Sequence, residues 1–277
     1  MPNLAAALRD AERRLTHTSP SARLDAEVLL AHVLDKPRTY VIAWPAKTLP
    51  GEALDYLNTL VERRAAGQPV AYLTGEREFW SLALKVNDAA LIPRPETELL
   101  VERAAAMIEQ SAASRVLDLG TGSGAIALAL ALRFPHLAIT ASDVSAAALS
   151  VAEVNRKALG ANNVELRESD WFDVLGDAYE VIVANPPYVA SDDPHLEQGD
   201  VRFEPRLALD GGRDGLDCLR TIIDEAPRHL LRGGWLLLEH GFDQGDAVRE
   251  LLQAAGFSSV HTCRDLAGHE RVSAGRR

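Results

Sequence analysis

Short apolar runs recur along the second half of the chain without polar alternation, which is the pattern of strands buried on both faces of a sheet. The clearest run covers residues 181–184 and stops abruptly at Asn-Pro-Pro-Tyr. Proline lacks an N–H for a sheet ladder and disfavours helix at the residue before it, so the strand must end at Asn185. An amide side chain, backbone carbonyls and an aromatic ring therefore follow a central strand, at the edge where open α/β sheets bind ligands.

The same pattern predicts six further strands separated by helices. The strands cover residues 115–119, 138–143, 164–170, 234–239, 260–263 and 270–273, and the main helices cover 125–132, 218–231 and 246–255. Seven strands with helices on both faces predict an α/β, Rossmann-like sheet. The polar stretch over residues 191–215 is long enough to be a lid or a substrate loop.

The first quarter of the chain has helical rather than strand periodicity. Apolar residues recur at helical spacing after Ser19-Pro20 and after Pro50-Gly51, and Gly67 stops the second helix. This pattern predicts a small all-α bundle over residues 1–75. Bundles attached to enzymes commonly help to recognise a substrate, which is the role we expect here.

A change of apolar period from residue 79 to residue 86 predicts a strand after the bundle. A turn is predicted at Asn87-Asp88, with Leu91 and Ile92 pairing back to complete a hairpin. Residues 76–95 are therefore expected to form a β-hairpin linker, and residues 96–277 the catalytic domain.

Composition excludes several classes of protein. A hydrophobic fraction of 47% in 277 residues supplies a real core, while the longest apolar run, residues 125–132, is too short to span a bilayer. The N-terminus shows no apolar signal-peptide region, and Cys218 and Cys263 form no CxxC pair, so we expect a cytoplasmic protein with reduced thiols. The eight histidines show no paired-ligand spacing, and we therefore expect no metal.

The formal net charge of -11 argues against a nucleic-acid-binding protein, because affinity for the phosphate backbone needs a basic face. An acidic surface favours a basic partner instead, since complementary charge steers association. We therefore expect a protein partner, no membrane, no direct nucleic-acid contact, and a monomer in solution.

A glycine loop with the sequence Gly-Thr-Gly-Ser-Gly follows the first sheet strand, and glycines let a ligand approach the main chain closely. Gly120, Gly122 and Ala125 match the fingerprint of dinucleotide-binding proteins, with Asp143 downstream where a ribose-binding acid belongs. Asp118, just before the glycines, is awkward beside a pyrophosphate but useful near a cation. The loop therefore favours a positively charged, phosphate-free nucleoside such as S-adenosylmethionine, while a nicotinamide dinucleotide stays open as an alternative.

Further candidate ligand contacts follow other strands of the same sheet. Asp143 ends the second strand and can accept both ribose hydroxyls, Trp171 follows the third strand and can pack against an adenine ring, and Asn185 follows the fourth. The carboxyl ends of parallel strands meet at one edge. We therefore expect the glycine loop, the acid, the aromatic ring and the amide to lie together there.

The Asn-Pro-Pro-Tyr segment suits a planar NH2 group. The side-chain oxygen of Asn185 and the carbonyl of Pro186 are two acceptors, and Pro187 stiffens the turn that holds them. Tyr188 offers a face on which a flat amide or base can stack. The same four residues also make a plain strand-terminating turn, so their position at the ligand-binding edge carries the hypothesis.

Seven short segments give the chain a family resemblance. They are residues 67–69, 72–75, 79–80, 93–98, 118–124, 185–188 and 203–205. With these segments the chain resembles the release-factor glutamine methyltransferases, the HemK/PrmC family of class I S-adenosylmethionine-dependent methyltransferases. The resemblance extends over nearly the whole chain. It implies an N-terminal helical bundle, a hairpin linker and a Rossmann-like catalytic domain with a reversed final hairpin.

The resemblance also implies an activity and its residues. The enzyme is expected to methylate the side-chain amide nitrogen of the glutamine in the Gly-Gly-Gln motif of peptide chain release factors. The implied S-adenosylmethionine site comprises Gly120, Thr121, Gly122, Ser123, Gly124, Asp143, Trp171 and Asn185. The implied substrate site comprises Asn185, Pro186, Pro187 and Tyr188, of which Asn185, Pro186 and Tyr188 are the expected catalytic residues.

Other hypotheses remain at this point. The related ribosomal-protein glutamine methyltransferases share the Asn-Pro-Pro-Tyr segment over residues 185–188, which we call the cradle. The stretch over residues 94–98 is closer to the release-factor branch. An adenine amino-methyltransferase on nucleic acid uses the same kind of cradle, against which the negative charge counts. A nicotinamide oxidoreductase rests on the glycine loop alone, and a non-enzymatic module would use the Pro-Pro-Tyr turn to dock a partner.

Overall fold

The computed structural model describes residues 1–176 and 178–277, which divide into two units. One unit comprises Met1–Glu76 with Gln198–Phe203, and the other comprises Arg77–Glu197 with Glu204–Arg277. Within the described residues, no helix is long and apolar enough to cross a membrane. The division of the sequence into bundle, linker and catalytic domain stays a prediction.

The first unit is a bundle of five helices around one apolar core. The helices are α1 (Leu4–Leu15), α2 (Ala22–Leu34), α3 (Arg38–Ala43), α4 (Gly51–Ala65) and α5 (Val70–Thr74). Helix α1 begins at Asn3, whose side chain accepts a hydrogen bond from the Ala6 N–H and so satisfies a free donor of the first turn. Helices α2 and α4 confirm the two helices that the sequence predicted after Ser19-Pro20 and after Pro50.

A buried charge cluster holds part of the long polar loop on this helical unit. The Arg64 guanidinium donates to Asp25 Oδ2 at 2.7 Å and to Asp200 Oδ1 at 2.6 Å, and the Ser19 hydroxyl donates to the same Asp25 oxygen. Breaking a buried ion pair leaves an uncompensated charge, which is costly. The cluster therefore fixes residues 198–203 against the helices.

Among its described residues, the second unit contains a small hairpin, a seven-stranded sheet and five α-helices. The strands are β1 (Glu76–Phe79), β2 (Leu82–Lys85), β3 (Arg115–Leu119), β4 (Ala138–Asp143), β5 (Val164–Glu168), β6 (Tyr179–Ala184), β7 (Leu230–Glu239), β8 (Ser258–Arg264) and β9 (Glu270–Arg276). The helices are α6 (Thr97–Ser111), α7 (Ala125–Arg133), α8 (Ala146–Leu159), α9 (Asp217–His229) and α10 (Gly245–Ala254). Each of the seven strands expected in the sheet is present, and β7 begins four residues earlier than predicted.

The strand order in the sheet is β5-β4-β3-β6-β7-β9-β8, with β3 to β7 parallel and β9 antiparallel to both of its neighbours. This confirms the Rossmann-like sheet and its reversed final hairpin. The apolar run of β6 is buried on both faces, since Val181 and Val183 pack in one core while Ile182 and Ala184 pack in the other. Helices α6 and α7 cover the first face, and α9 and α10 cover the second.

The hairpin lies within the predicted residues, but its predicted turn is wrong. Strand β1 pairs with β2, and the chain reverses at Trp80 and Ser81, both of which have positive φ, instead of at Asn87-Asp88. Two-residue hairpin turns of this kind usually carry Asn or Gly, so a Trp-Ser turn gives no sequence signal. The Glu98 carboxylate accepts a hydrogen bond from the Trp80 N–H at 2.9 Å and so supports the turn.

Candidate active site

The register of the sheet places four residues from four adjacent strands in one row. Leu119 of β3 pairs with Ser142 of β4 and with Ala184 of β6, and Ala184 pairs with Leu238 of β7. The next residue of each strand therefore lies at the same carboxyl edge, and these residues are Asp143, Gly120, Asn185 and Glu239. This is the edge at which α/β sheets bind ligands.

A cavity of about 300 Å³ opens at this edge. Of the predicted site residues, Gly120, Thr121, Gly122, Ser123, Asp143, Trp171, Asn185 and Pro187 line the cavity, whereas Gly124, Pro186 and Tyr188 do not. Residues that sequence reasoning did not place there also line it, among them Arg94, Thr97, Asp170, Leu207 and Cys218. Over the described part of the chain, no group of three or more His, Cys, Asp or Glu side chains is arranged to hold a metal ion.

The glycine loop between β3 and α7 is held open by its backbone conformation. Gly120, Gly122 and Gly124 have φ of +67°, +57° and +86°, which side-chain-bearing residues rarely adopt. A Cβ on Gly124 would lie 3.0 Å from a Leu128 methyl group, so this glycine also permits close packing at the start of α7. The Thr121 N–H donates to the Ser142 carbonyl at 2.8 Å, which fixes the loop to β4.

The Asp143 carboxylate braces the glycine loop from the end of β4. Its Oδ2 accepts from the Gly122 N–H at 2.8 Å, and its Oδ1 accepts from the Ser145 N–H at 2.9 Å. Burial raises the pKa of Asp143, and the hydrogen bonds from Ser145 and Gly122 act in the opposite direction. Each carboxylate oxygen keeps a second lone pair, so Asp143 can also accept from two ligand hydroxyls in the cavity.

Trp171 belongs to both the core and the cavity. It has a φ of +43° just after β5, lines the cavity, and packs against the core under α9 and α10. A Cβ on Gly120 would lie 3.8 Å from the Trp171 ring, so the ring is in contact range of the glycine loop. The Trp171 ring can therefore pack in the core and still present a surface to a flat ligand in the cavity, as predicted for adenine.

The structure corrects the expectation that Asp118 lies near a bound cation. Asp118 is fully buried and does not line the cavity. Its Oδ2 accepts from the Thr121 hydroxyl at 2.7 Å and from the Ala127 N–H at 3.1 Å, while its Oδ1 is buried without a hydrogen-bond partner. Desolvation therefore raises the pKa of Asp118 to about 7. Its carboxyl group connects the loop to the first turns of α7.

Asp118 is expected to make the free energy of unfolding fall as the pH rises from about 4 to about 7. The folded-state pKa is raised above the unfolded value, so the folded protein binds more protons in this window and loses that advantage on ionisation. Asp118→Asn cannot ionise and should flatten this part of the profile. Chemical denaturation at pH 5 and pH 8 measures it, with the exposed Glu250→Gln as the control. Equal slopes for wild type and Asp118→Asn would refute the assignment.

The Asn185 amide is held on one side only. Its Nδ2 donates to Thr97 Oγ1 at 3.1 Å. Among the described residues, none donates a hydrogen bond to Asn185 Oδ1 or to the Pro186 carbonyl. Both acceptors therefore have no donor from the described residues, and their predicted role in binding an NH2 group stays a prediction.

Tyr188 points into the protein, which the sequence did not predict. Its hydroxyl donates to Glu239 Oε1 at 3.4 Å, and burial together with the Glu239 charge raises the pKa of Tyr188 well above its usual range. Burial also raises the pKa of Glu239 to about 7, while the charge of Arg271 and the Tyr188 hydroxyl act to lower it, and Glu239 Oε2 has no hydrogen-bond partner among the described residues. The Tyr188 ring therefore supports the cradle from behind.

The returning end of the long loop packs against the back of the cradle. The Gly211 N–H donates to the Val189 carbonyl at 2.8 Å, and Gln244 Nε2 donates to the carbonyls of Tyr188 and Gly215 at 3.1 and 3.2 Å. A Cβ on Gly211 would lie 2.7 Å from the Pro187 carbonyl oxygen, so no larger residue fits there without a backbone shift.

Gly211→Ala is expected to destabilise the protein by about 1–3 kcal/mol and to lower activity, because the added methyl group meets only backbone atoms. Gly51→Ala is the matched control, since its Cβ would meet nothing closer than 4.0 Å. Thermal melting of both variants measures the difference. If Gly211→Ala and Gly51→Ala melt at the same temperature, the loop backbone shifts to accommodate the methyl group without loss of stability, and the prediction is wrong.

A second contact ties the loop to the segment before α6. The Glu204 side chain is fully buried, accepts from the Ile92 N–H at 3.1 Å and pairs with Arg94. Pro205 next to it and Arg94 both line the cavity. Arg94 and Glu204, which belong to two of the segments that carry the family resemblance, are therefore in contact beside the cavity.

Sequence reasoning missed several polar side chains that hold the site. These are Thr97, Glu204, Glu239 and Gln244. A signal existed for Glu239, because it ends an apolar strand in the same way that Asp143 and Asn185 do. The partners of Thr97, Glu204 and Gln244 are distant in sequence, so no local pattern indicates them.

A parallel sheet with a reversed final hairpin, and a glycine loop beside strand-end Asp143 and Asn185, define a Rossmann-like methyltransferase fold. Two family models match the chain, the PrmC N-terminal domain over residues 6–75 and the methyltransferase small domain over residues 95–199. A methyltransferase structure from Pyrococcus furiosus is 19% identical, covers 78% of this chain and 96% of its own, and has a TM-score of 0.53, which shows the fold alone.

Relatives of high identity specify the family. The release factor glutamine methyltransferase of Pseudomonas aeruginosa is 54% identical over 93% of this chain and 94% of its own length. That of Xylella fastidiosa strain Temecula1 is 50% identical over 100% of this chain and 98% of its own. The chain belongs to the release factor glutamine methyltransferase family.

Proposed function

We propose that the protein transfers a methyl group from S-adenosylmethionine to the side-chain amide nitrogen of the glutamine in the Gly-Gly-Gln motif of peptide chain release factors. The observation that carries this proposal is a pair of acceptors to which no described residue donates: Asn185 Oδ1, whose residue lines the cavity, and the carbonyl of the adjacent Pro186. They suit the two hydrogens of a carboxamide. Membership in the family supports the choice of glutamine and of release factors.

The residues that line the cavity fit S-adenosylmethionine. Asp143 has lone pairs for two ribose hydroxyls, and the ring of Trp171 offers a flat apolar surface for adenine. Gly120 and Gly122 leave the main chain bare for close approach. When bound, S-adenosylmethionine supplies a methyl group already activated by its sulfonium sulfur.

The task of the protein at the glutamine is alignment. A carboxamide nitrogen is a poor nucleophile because its lone pair is delocalised into the carbonyl group. Asn185 Oδ1 and the Pro186 carbonyl would accept both N–H groups, which favours a pyramidal nitrogen with its lone pair directed into the cavity. Alignment of reacting groups is worth roughly 7–11 kcal/mol in favourable cases. The amide proton that methylation acidifies leaves to water.

The macromolecular partner is a release factor. The net charge of -11 favours a basic protein surface over a nucleic acid. The helical unit and the loop segment 198–203 that packs with it are the proposed recognition elements, since neither contributes to the cavity lining. A substrate that acts on the ribosome places the reaction in the cytoplasm, where we expect the enzyme to act as a monomer.

Transfer of labelled methyl from S-adenosylmethionine to purified release factor tests the proposal. A release factor with the motif glutamine changed to alanine is the control substrate. Label on the first and none on the second is the expected result. Label on neither, with cofactor still bound, would overturn the substrate assignment, and label on ribosomal protein or on adenine in nucleic acid would identify the alternative.

A further inference from the structure

The side chain of Gln244, directly before α10, joins three loops of the second unit. Its Oε1 accepts from the Gly241 N–H at 2.8 Å, and its Nε2 donates to the carbonyls of Tyr188 and Gly215 at 3.1 and 3.2 Å. Gly241 follows β7, Tyr188 ends the cradle, and Gly215 ends the long polar loop. Both hydrogens of the amide and a lone pair of its oxygen are therefore engaged.

The partners of the Gln244 amide allow it one orientation. A main-chain N–H can only donate and a main-chain carbonyl can only accept, so the amide oxygen must face Gly241 and the amide nitrogen must face the two carbonyls. A reversed amide would place its oxygen against two carbonyl oxygens and its NH2 group against an N–H. The contact therefore depends on the amide group and not only on the volume of the side chain.

The main-chain segments that Gln244 joins are in direct contact with one another. A Cβ on Gly215 would overlap the Tyr188 carbonyl, and a Cβ on Gly211 would lie 2.8 Å from the Tyr188 Cα. Within the described residues, the hydrogen-bond donor to the Tyr188 carbonyl is Gln244 Nε2. This close packing lets a single side chain fix the backbone of the cradle at its last residue.

The two prolines make the cradle stiff between its ends. Each proline ring fixes its own φ, and Pro186 is restricted further because it precedes a proline. Asn185 at the first end follows Ala184, which is paired with both neighbouring strands. Tyr188 at the second end is held through its carbonyl by Gln244. The position of the Pro186 carbonyl therefore depends on both ends.

Main-chain hydrogen bonds just beyond the cradle join it to the long polar loop. The Val189 N–H donates to the Leu209 carbonyl at 3.0 Å, and the Val189 carbonyl accepts from the Gly211 N–H at 2.8 Å. These bonds hold one loop against another. Gln244 connects both loops to Gly241, which lies two residues after the end of β7.

We propose that Gln244 is a positioning residue that holds the Tyr188 end of the cradle, and through it the Pro186 carbonyl, where the target glutamine binds. This inference rests on the proposed function, in which the Pro186 carbonyl accepts one N–H of that glutamine. Gln244 is not among the residues that line the cavity, so it acts on methyl transfer through the cradle and not by contact with S-adenosylmethionine.

Gln244→Glu tests the inference, because the side chain keeps its shape while an ionised carboxylate can only accept. It can still accept from the Gly241 N–H, but it repels the carbonyls of Tyr188 and Gly215. Gln244→Met keeps the length of the side chain without its hydrogen bonds and without a charge. Gln253→Glu, at an exposed position of α10, is the matched control.

The readout is the single-turnover rate of methyl transfer to release factor per cofactor-binding site, with both substrates saturating. Calorimetry with S-adenosylmethionine counts the sites and gives the dissociation constant. Gln244→Glu should lower the rate per site by on the order of 10- to 100-fold, because a misplacement of about 1 Å costs on the order of 100-fold. Gln244→Met should lower it by about 10-fold, as expected for two lost hydrogen bonds. The dissociation constant should stay within about threefold of wild type, and Gln253→Glu should match wild type throughout.

A rate per site equal to that of wild type in the folded Gln244 variants overturns the inference, even if their melting temperatures fall. A purely structural role would lower the number of sites and leave the rate at each site unchanged. A loss of cofactor affinity as large as the loss of rate also overturns it. If Gln244→Glu does not fold, Gln244→Met decides.

Failure of the proposed function has a different result. Wild type that binds S-adenosylmethionine but transfers no methyl group to release factor contradicts the proposed function, and the inference falls with it. Wild type that transfers the methyl group, beside Gln244 variants that transfer it equally fast per site, contradicts the inference alone. The activity of wild type therefore distinguishes the two failures.

Discussion

Replacing Asn185 by alanine is expected to lower methyl transfer to release factor by on the order of 100- to 1000-fold, as for loss of one preorganised partner of the reacting group. The substitution removes Oδ1, one of the two acceptors proposed for the target amide, and leaves the Pro186 carbonyl in place. Affinity for S-adenosylmethionine should fall by less than about 10-fold, because the bracing contacts of Asp143 with the glycine loop do not involve Asn185.

Single-turnover transfer and calorimetry separate these two effects. Asn162→Ala, an exposed asparagine after α8, is the matched control and should leave both quantities unchanged. Retained turnover in Asn185→Ala would show that the Pro186 carbonyl alone aligns the glutamine. A loss of cofactor binding as large as the loss of transfer would make Asn185 chiefly a cofactor ligand.

The sequence predicts the location of this site because strand ends are visible as apolar runs that stop at polar residues. Asp143 and Asn185 each end or follow such a run, and parallel strands bring their carboxyl ends to one edge. The glycine loop is also visible in the sequence, because its three glycines occupy positions with positive φ, which other residues rarely adopt. Glu239 gives the same signal on β7, and the register then places it beside Asn185.

The remaining features depend on contacts that no local pattern encodes. Asp118 looks like a ligand from its position before the glycines, but its direction is set by the fold, which buries it under α7. The Asn185 amide donates through Nδ2 to the hydroxyl of Thr97, a residue 88 positions away in sequence. A hydrogen-bond partner at such distance becomes known only when the elements are packed together.

Asp143→Ala is expected to raise the dissociation constant of S-adenosylmethionine by on the order of 100-fold or more, since two charge-assisted hydrogen bonds contribute about 1.5–3 kcal/mol each. The substitution removes the proposed acceptor for the ribose hydroxyls. It also leaves the N–H groups of Gly122 and Ser145 without the carboxylate that they contact at 2.8 and 2.9 Å. The glycine loop therefore loses its brace together with its ligand contact.

Calorimetry with S-adenosylmethionine measures this effect, and the exposed Asp192→Ala is the control for loss of a carboxylate. A dissociation constant within about threefold of wild type would remove Asp143 from the cofactor site. Melting curves show whether the fold persists, since the other contacts of the loop, such as the Thr121 N–H with the Ser142 carbonyl, do not involve the Asp143 side chain.

The pH dependence of cofactor binding gives an independent test of the same carboxylate. Burial raises the pKa of Asp143, so a proton competes with the ribose hydroxyls at a less acidic pH than at an exposed aspartate. Protonation converts one acceptor oxygen into a donor. Affinity for S-adenosylmethionine should therefore weaken as the buffer is acidified from neutrality, and this dependence should be absent from Asp143→Ala, because the group that takes up the proton has been removed.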